Sequence, residues 1–258
     1  MAKDIAAMFS LEGKVAVISG ASRGIGEEIA TTFAKAGARV VMSSRKEEGI
    51  KEAVEKIKAD HGDALAVVAN VGYTEDCENL VKASMDWAGR IDILVNNAGT
   101  NPAWGPLENV QESAWDKIFA VNLKGAFFTS QAAYKACMKE NGGCIIHTAS
   151  AGAFAAAPTM NVYNITKAAM IHMTKVMASE WKQQGVRVNA LAPGLIKTRL
   201  SQALWDNPQR QEQADTGPAG RIGEVEDISG AALLLASGAG DYINGQYIII
   251  DGGSMARN

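Results

Sequence analysis

Short, nearly continuous apolar runs alternate along this chain with longer stretches whose apolar residues recur at helical spacing. Val15-Ala16-Val17-Ile18 is the first run and predicts a strand over residues 14–19. Residues 26–35 then place Ile29, Ala30 and Phe33 on one helical face, and Gly37 supplies a stop. Val40-Val41-Met42 opens a second strand, and residues 47–59 form a helix with Ile50, Val54 and Ile57 on one side. A third strand is expected over 64–69, a helix over 79–87, and a fourth strand over 91–95 that closes on Asn96-Asn97-Ala98-Gly99. The second half predicts a long helix over 115–138, a strand over 144–148 and another long helix over 162–183, stopping at Gly185. Residues 186–191 and 246–250 give the sixth and seventh strands, the last before Asp251-Gly252-Gly253.

Strand runs that are continuous rather than alternating imply a sheet covered on both faces. Repeated strand–helix units imply right-handed crossovers. The expected fold class is therefore α/β: a single-domain, Rossmann-type, doubly wound parallel sheet of about seven strands. Residues 1–258 read as one domain. Residues 194–223 break the pattern, being polar and interrupted by Pro208 and Pro218, and read as an inserted flap, with a substrate lid over 195–222.

Composition narrows the classes. With 258 residues, 47% of them hydrophobic and 21% charged, the chain can bury a sizeable core. A net charge of −3 argues against a nucleic-acid binder. The lack of an 18-residue apolar run argues against a membrane span. Met1-Ala2-Lys3-Asp4 does not read as a signal peptide. Cys77, Cys137 and Cys144 read as free thiols of a reducing compartment, which points to the cytoplasm. His61, His147 and His172 are scattered, so no metal site is expected. The unusual count is 26 glycines against 6 prolines.

Three of those glycines cluster in Gly20-Ala21-Ser22-Arg23-Gly24-Ile25-Gly26, directly after a strand and at the opening of a helix. Close backbone approach and unpaired helix N-terminal amides together suit a phosphate. The Lys-Ser/Thr pair of nucleotide triphosphatases does not follow. At the end of the second strand, where an acid would bind a ribose 2′-hydroxyl, stands Ser43-Ser44-Arg45-Lys46. Arg23, Ser44 and Arg45 suit a 2′-phosphate, so NADP(H) is favoured, with NAD(H) as the alternative.

Tyr163 and Lys167 stand at i and i+4, on one helical face. A nearby ammonium and a positively charged nicotinamide would favour the phenolate of a tyrosine that normally titrates near 10. Ser150, after an apolar strand, places a hydroxyl where open parallel sheets bind ligands.

Taken in order, Gly20/Gly24/Gly26, Asn96-Asn97-Ala98-Gly99, Asn122, Ser150, Tyr163/Lys167, Pro193-Gly194 and Asp251-Gly252-Gly253 resemble the short-chain dehydrogenase/reductase family along nearly the whole chain. The resemblance implies that Tyr163 is the general acid/base and that Ser150 holds the substrate oxygen. Lys167 would bind the nicotinamide ribose and lower the tyrosine pKa, and Asn122 would hold a relay water. It places Gly20, Ser22, Arg23, Gly24, Ile25, Gly26, Ser44, Arg45, Asn70, Val71, Asn97, Ala98, Gly99, Tyr163, Lys167, Pro193, Gly194, Ile196 and Thr198 on the cofactor. Where many members carry an acid that touches adenine, this chain has Asn70.

Ser43-Ser44-Arg45-Lys46, Asn101-Pro102, residues 191–198 and Leu204-Trp205 look like the NADPH-dependent carbonyl/retinol reductases of the peroxisomal tetrameric type. The terminal Ala256-Arg257-Asn258 is not their peroxisomal tripeptide.

Leu200, Leu204, Trp205, Trp104, Phe154 and Met160 are the candidates for an apolar substrate pocket. Met170, Met173 and Met177 read as packing. The expected reaction is hydride exchange between NADP(H) and a small carbonyl or secondary alcohol. A 3-oxoacyl thioester reductase is the alternative, with Lys135 and Lys139 as rim cations, followed by a non-catalytic cofactor binder. The resemblance also implies a homotetramer.

Overall fold

Each apolar run feeds two cores, because successive strand residues point to opposite faces. Ala16 and Ile18 of the first strand face one core and Val17 the other. Val40 and Met42 against Val41, and Ile93 and Val95 against Leu94, divide in the same way. The computed structural model describes residues 4–60, 62–156 and 159–256. His61, Met1-Ala2-Lys3 and Arg257-Asn258, which entered the readings above, lie outside them.

The strands are β1 (Val15–Ser19), β2 (Arg39–Ser44), β3 (Ala64–Val68), β4 (Ile93–Asn96), β5 (Gly143–Thr148), β6 (Val186–Pro193) and β7 (Tyr247–Ile250). They form one sheet in the order β3-β2-β1-β4-β5-β6-β7, with every pair parallel. A short helix α1 (Ile5–Phe9) precedes the sheet. Helices α2 (Gly24–Lys35) and α3 (Glu47–Asp60), together with the helix Glu226–Ala236, cover one face through Ile29, Phe33, Ile50, Val54, Ile228 and Leu235. Helix α4 (Thr74–Ala88), a continuous helical stretch over 112–141 and the helix Asn161–Trp181 cover the other through Leu80, Met138 and Met177.

The order of strands reverses between β1 and β4, which opens a crevice above their carboxyl ends. Gly20 and Asn97 follow those two strands directly.

Three parts differ from the sequence reading. The helix Glu226–Ala236 was not foreseen; its Ala-Ala-Leu-Leu-Leu run lacks a clear polar face to give helical periodicity. The flap contains two helices, Gln202–Trp205 and Pro208–Asp215, the second started by Asn207 as N-cap and by proline at its first turn. Helix α4 begins at Thr74, earlier than the expected 79, since Asn79 lies within its second turn.

Candidate active site

The carboxyl end of β1 turns into α2 through glycines that tolerate no side chain. Gly20 and Gly24 have φ of +68° and +62°, the left-handed region where glycine is favoured. A Cβ on Gly20 would stand 2.7 Å from the Ala98 Cα, and one on Gly26 would overlap the Asn97 amide and the Gly20 carbonyl. Asn97 in turn donates to the carbonyls of Ser19 (3.3 Å) and Gly20 (3.0 Å), pinning the turn from β4.

Above this turn lies a cavity of about 440 Å³. Of the expected cofactor residues it is lined by Gly20, Ser22, Arg23, Gly24, Ile25, Ser44, Arg45, Asn70, Val71, Asn97, Ala98, Gly99 and Thr198. Gly26 is buried behind the turn. Pro193 is buried as the last residue of β6, and Ile196 is 5% exposed, bridged to Gly223 and turned into the core. The structure does not bring these three to the cavity wall, because the chain there is still packing the sheet. Gly194 opens instead to a second cavity.

The sequence reading omitted Ala69, Thr100, Val121 and Arg199 from this wall, although each sits beside a residue it singled out, and assigned Leu200 to the substrate pocket alone. Asn70 is fixed by its backbone N–H, which donates to the Asp76 carboxylate at 2.7 Å.

The described wall carries Arg23, Arg45, Lys46 and Arg199 and no carboxylate. A glycine cradle at a helix N-terminus, with four cations and no acid beside it, fits a dinucleotide carrying an additional phosphate.

The long helical stretch over 112–141 loosens into a π turn at Ala120–Lys124, a deviation frequent at functional sites. The turn carries Asn122, which is fully buried. Its Oδ1 accepts from the Thr100 N–H (2.8 Å), and its Nδ2 donates to the Thr100 carbonyl (3.0 Å) and to Thr166 Oγ1 (3.3 Å). Asn122 therefore ties the loop after β4 to the helix Asn161–Trp181, with one acceptor position left on Oδ1.

That helix carries Tyr163 and Lys167 one turn apart. Lys167 is 2% exposed, donates to the Thr148 carbonyl at 2.6 Å, and stands 5.5 Å from the centre of the Tyr163 ring. Ser150 follows β5, and its Oγ accepts from the Gly152 N–H at 3.1 Å.

Burial pushes the Tyr163 phenol up to about 12, with the hydrogen bond to Ser150 working the other way. The residue as a whole is only half-buried, so the desolvation falls on its inner, hydroxyl-bearing side. Burial also pulls Lys167 down to about 8. The expected lowering concerns the tyrosine beside a bound, positively charged nicotinamide. In the free chain desolvation outweighs the ammonium, which is spent on the Thr148 carbonyl.

Ser150 and Tyr163 line a second cavity of about 410 Å³ with Trp104, Met160, Leu200 and Leu204. Trp104 is held by its neighbour Gly105, which receives bonds from Asn161 and gives one to Thr159. Leu200 belongs to both cavities.

Two expected pocket residues lie elsewhere. Phe154 packs on Tyr247 with ring centres 4.6 Å apart, and Trp205 donates to the Thr198 carbonyl at 2.8 Å, bracing the flap. Met170 and Met177 are core residues and Met173 packs against the core, as expected. Lys135 and Lys139 lie just before β5, at the sheet end opposite Ser150, and so are not rim residues. Among the described residues, no helix is long and apolar enough to cross a membrane.

Comparison with known proteins places this arrangement among relatives. A family model described as enoyl-(acyl carrier protein) reductase matches residues 20–255. The chain is 39% identical over 251 residues to the Caenorhabditis elegans protein named dehydrogenase/reductase SDR family member 4, covering 95% of this chain and 96% of that one. The Bos taurus protein of the same name is 38% identical over 248 residues, covering 96% and 89%. A gluconate 5-dehydrogenase from Burkholderia cenocepacia, solved with NADP and tartrate, superposes with a TM-score of 0.94 at 35% identity, covering 99% and 100%.

Proposed function

This chain belongs to the short-chain dehydrogenase/reductase family of oxidoreductases, and on that premise we propose that it exchanges a hydride between NADP(H) and a small carbonyl or secondary alcohol. The observation that carries this reading is the meeting of the two cavities at Leu200, with the glycine cradle on one side and Ser150 and Tyr163 on the other. When bound, the dinucleotide supplies or accepts the hydride. The chain's own groups handle the proton. Ser150 Oγ holds the substrate oxygen, and Tyr163 gives it a proton in reduction or takes one in oxidation.

With its phenol raised to about 12, Tyr163 carries its proton at neutral pH, the form from which it donates in reduction. Lys167, buried beneath the ring, keeps a positive charge behind the phenol below about pH 8. Asn122 braces the loop over Lys167 and offers its remaining acceptor to a relay water.

NADP(H) is preferred over NAD(H) because Arg23, Arg45 and Lys46 meet no acid on the cavity wall. Gly26, Pro193 and Ile196 act from behind the wall by shaping it, and Gly194 lines the neighbouring substrate cavity. Residues 195–222 serve as the lid, since their Thr198, Arg199 and Leu200 stand over the cofactor cavity and Leu204 over the other. The chain works as a cytoplasmic homotetramer.

Reduction of a 3-oxoacyl thioester is the second reading. The description of the matching family model shares with it an acyl-carrier substrate but names reduction of an enoyl rather than a 3-oxo group, and the placement of Lys135 and Lys139 far from the rim weighs against it. A non-catalytic binder has little support, since Asn122, Ser150, Tyr163 and Lys167 are all present and connected.

A panel of ketones assayed with NADPH tests the reading. Tyr163→Phe is expected to lower kcat by at least about a hundredfold while NADPH still quenches protein fluorescence. Full activity in that variant overturns the mechanism. The native kcat/KM for reduction is expected to be flat below about pH 8 and to fall above it, as Lys167 loses its proton.

A further inference from the structure

The cavity that holds Ser150 and Tyr163 is also lined by Asn101 and Asn164. Asn101 is 6% exposed. The Oδ1 and Nδ2 atoms of both residues are shielded from water and meet no hydrogen-bonding partner among the described residues. A primary amide has two donor hydrogens and an acceptor oxygen, and leaving them unmade in a desolvated place is costly.

Other buried asparagines of this fold are completed by the chain itself. Asn96 bonds Ser130 at 2.8 Å, Asn122 bonds Thr100 and Thr166, and Asn189 bonds Ile243 at 2.8 Å and Gln246 at 3.0 Å. The two orphaned carboxamides coincide with a cavity wall. Room for one of them is made by Gly152, where a Cβ would overlap Asn164 Oδ1.

The chemistry of the missing partner follows from the carboxamide. A carboxylate accepts only, so it could meet the Nδ2 hydrogens but would set its charge against Oδ1. An ammonium donates only. A hydroxyl or a neutral amide does both. The one carboxylate of the described wall, Asp251, is already engaged by the Gly253 and Met255 N–H groups at 2.9 and 2.8 Å. The lining also holds apolar Trp104, Met160, Leu200 and Leu204, which suit a carbon skeleton, together with Arg210, whose guanidinium donates to Gln213 Oε1 at 3.2 Å.

We propose that Asn101 and Asn164 form a polar clamp for a neutral hydroxyl or amide carried beside the reacting carbonyl. The preferred substrates are then hydroxyketones and the corresponding diols rather than plain apolar ketones. This rests on the reductase reading of the same cavity.

The test compares 2-hydroxyacetophenone with propiophenone, which differ by a hydroxyl in place of a methyl. The hydroxyl also activates the carbonyl, so the ratio of the two reduction rates with sodium borohydride sets the chemical baseline. The native enzyme with NADPH is expected to favour the hydroxyketone in kcat/KM by at least about tenfold beyond that baseline, because a site built to bond a hydroxyl rejects the analogue lacking it. Asn101→Leu is expected to return the ratio to the baseline, and Asn101→Ser to give an intermediate value.

A native ratio at the baseline overturns the clamp with no variant needed and leaves the reductase reading standing. An Asn101→Leu ratio equal to the native one removes Asn101 from the proposal. If NADPH binds and neither ketone is turned over, both the clamp and the reading of the cavity fall.

Discussion

Arg45 is exposed at the end of β2, on the wall of the glycine-turn cavity, and makes no ion pair among the described residues. Its guanidinium can take a phosphate in a bidentate fork, which a carboxylate in the same place would repel. Arg45→Asp is therefore expected to raise the KM for NADPH by about tenfold or more and to leave the KM for NADH nearly unchanged or improved. Steady-state kinetics with both cofactors reads this directly, and an unchanged preference would count against a 2′-phosphate at this position. Tyr163 shows the limit of reasoning at this scale. Its spacing from Lys167 announces the pair, but not that burial raises the phenol while the ammonium is turned to a backbone carbonyl.

Between elements, β5 and the helix Asn161–Trp181 are fastened at two points two helical turns apart. Lys167 Nζ donates to the Thr148 carbonyl, and His147 Nδ1 meets Thr174 Oγ1 at 2.9 Å. The Thr174 hydroxyl already donates to the Met170 carbonyl at 2.8 Å, so the histidine nitrogen is the donor of that bond. His147 is fully buried, and burial, helped by the charge of Lys167, pulls it down to about 3. The unfolded chain binds a proton there first, near 6.5, so stability from the neutral ring is present above that pH. It is lost as pH falls towards 3, by roughly 5 kcal/mol over the window. Urea unfolding between pH 7 and 4 is expected to show a steep acid slope, and His147→Asn to flatten it by about one proton. An identical slope in the variant would mean that the ring is not held neutral. Neither fastening was visible in the sequence as a pair, since Thr148 and Thr174 carry no motif of their own.

Over the whole molecule, several large apolar side chains remain exposed, among them two groups on the long helical stretch and on β7. Trp115 and Phe127 are each 40% exposed on the long helical stretch, where Phe127 joins Phe119, Leu123 and Met173 around a groove. Tyr247 and Ile249 are 38% and 37% exposed on β7, the unpaired edge of the sheet. Monomeric proteins seldom leave such patches open. The homotetramer proposed above would cover them. Light scattering is expected to give the mass of four chains for the native protein and a smaller assembly for Phe127→Glu. A native monomer would refute the assembly.

How much was legible depends on whether the signal is local. The seven strands, the glycine turn and the Ser150, Tyr163 and Lys167 set could be read because periodicity and short spacings are properties of neighbouring residues. The helix Glu226–Ala236 escaped because it is apolar nearly all round, and the flap helices escaped because Gln202–Trp205 is a single turn, too short for periodicity, and Pro208–Asp215 is almost wholly polar. The pairing of Asn122 with Thr100 and Thr166, the withdrawal of Pro193 and Ile196 from the cofactor wall, and the orphaned amides of Asn101 and Asn164 follow from parts of the chain far apart in sequence. The sequence by itself determined the parallel sheet and the chemistry at its carboxyl edge. Only the tertiary structure decided which side chains are desolvated, and hence which protons are held, because burial depends on every element that packs around a group.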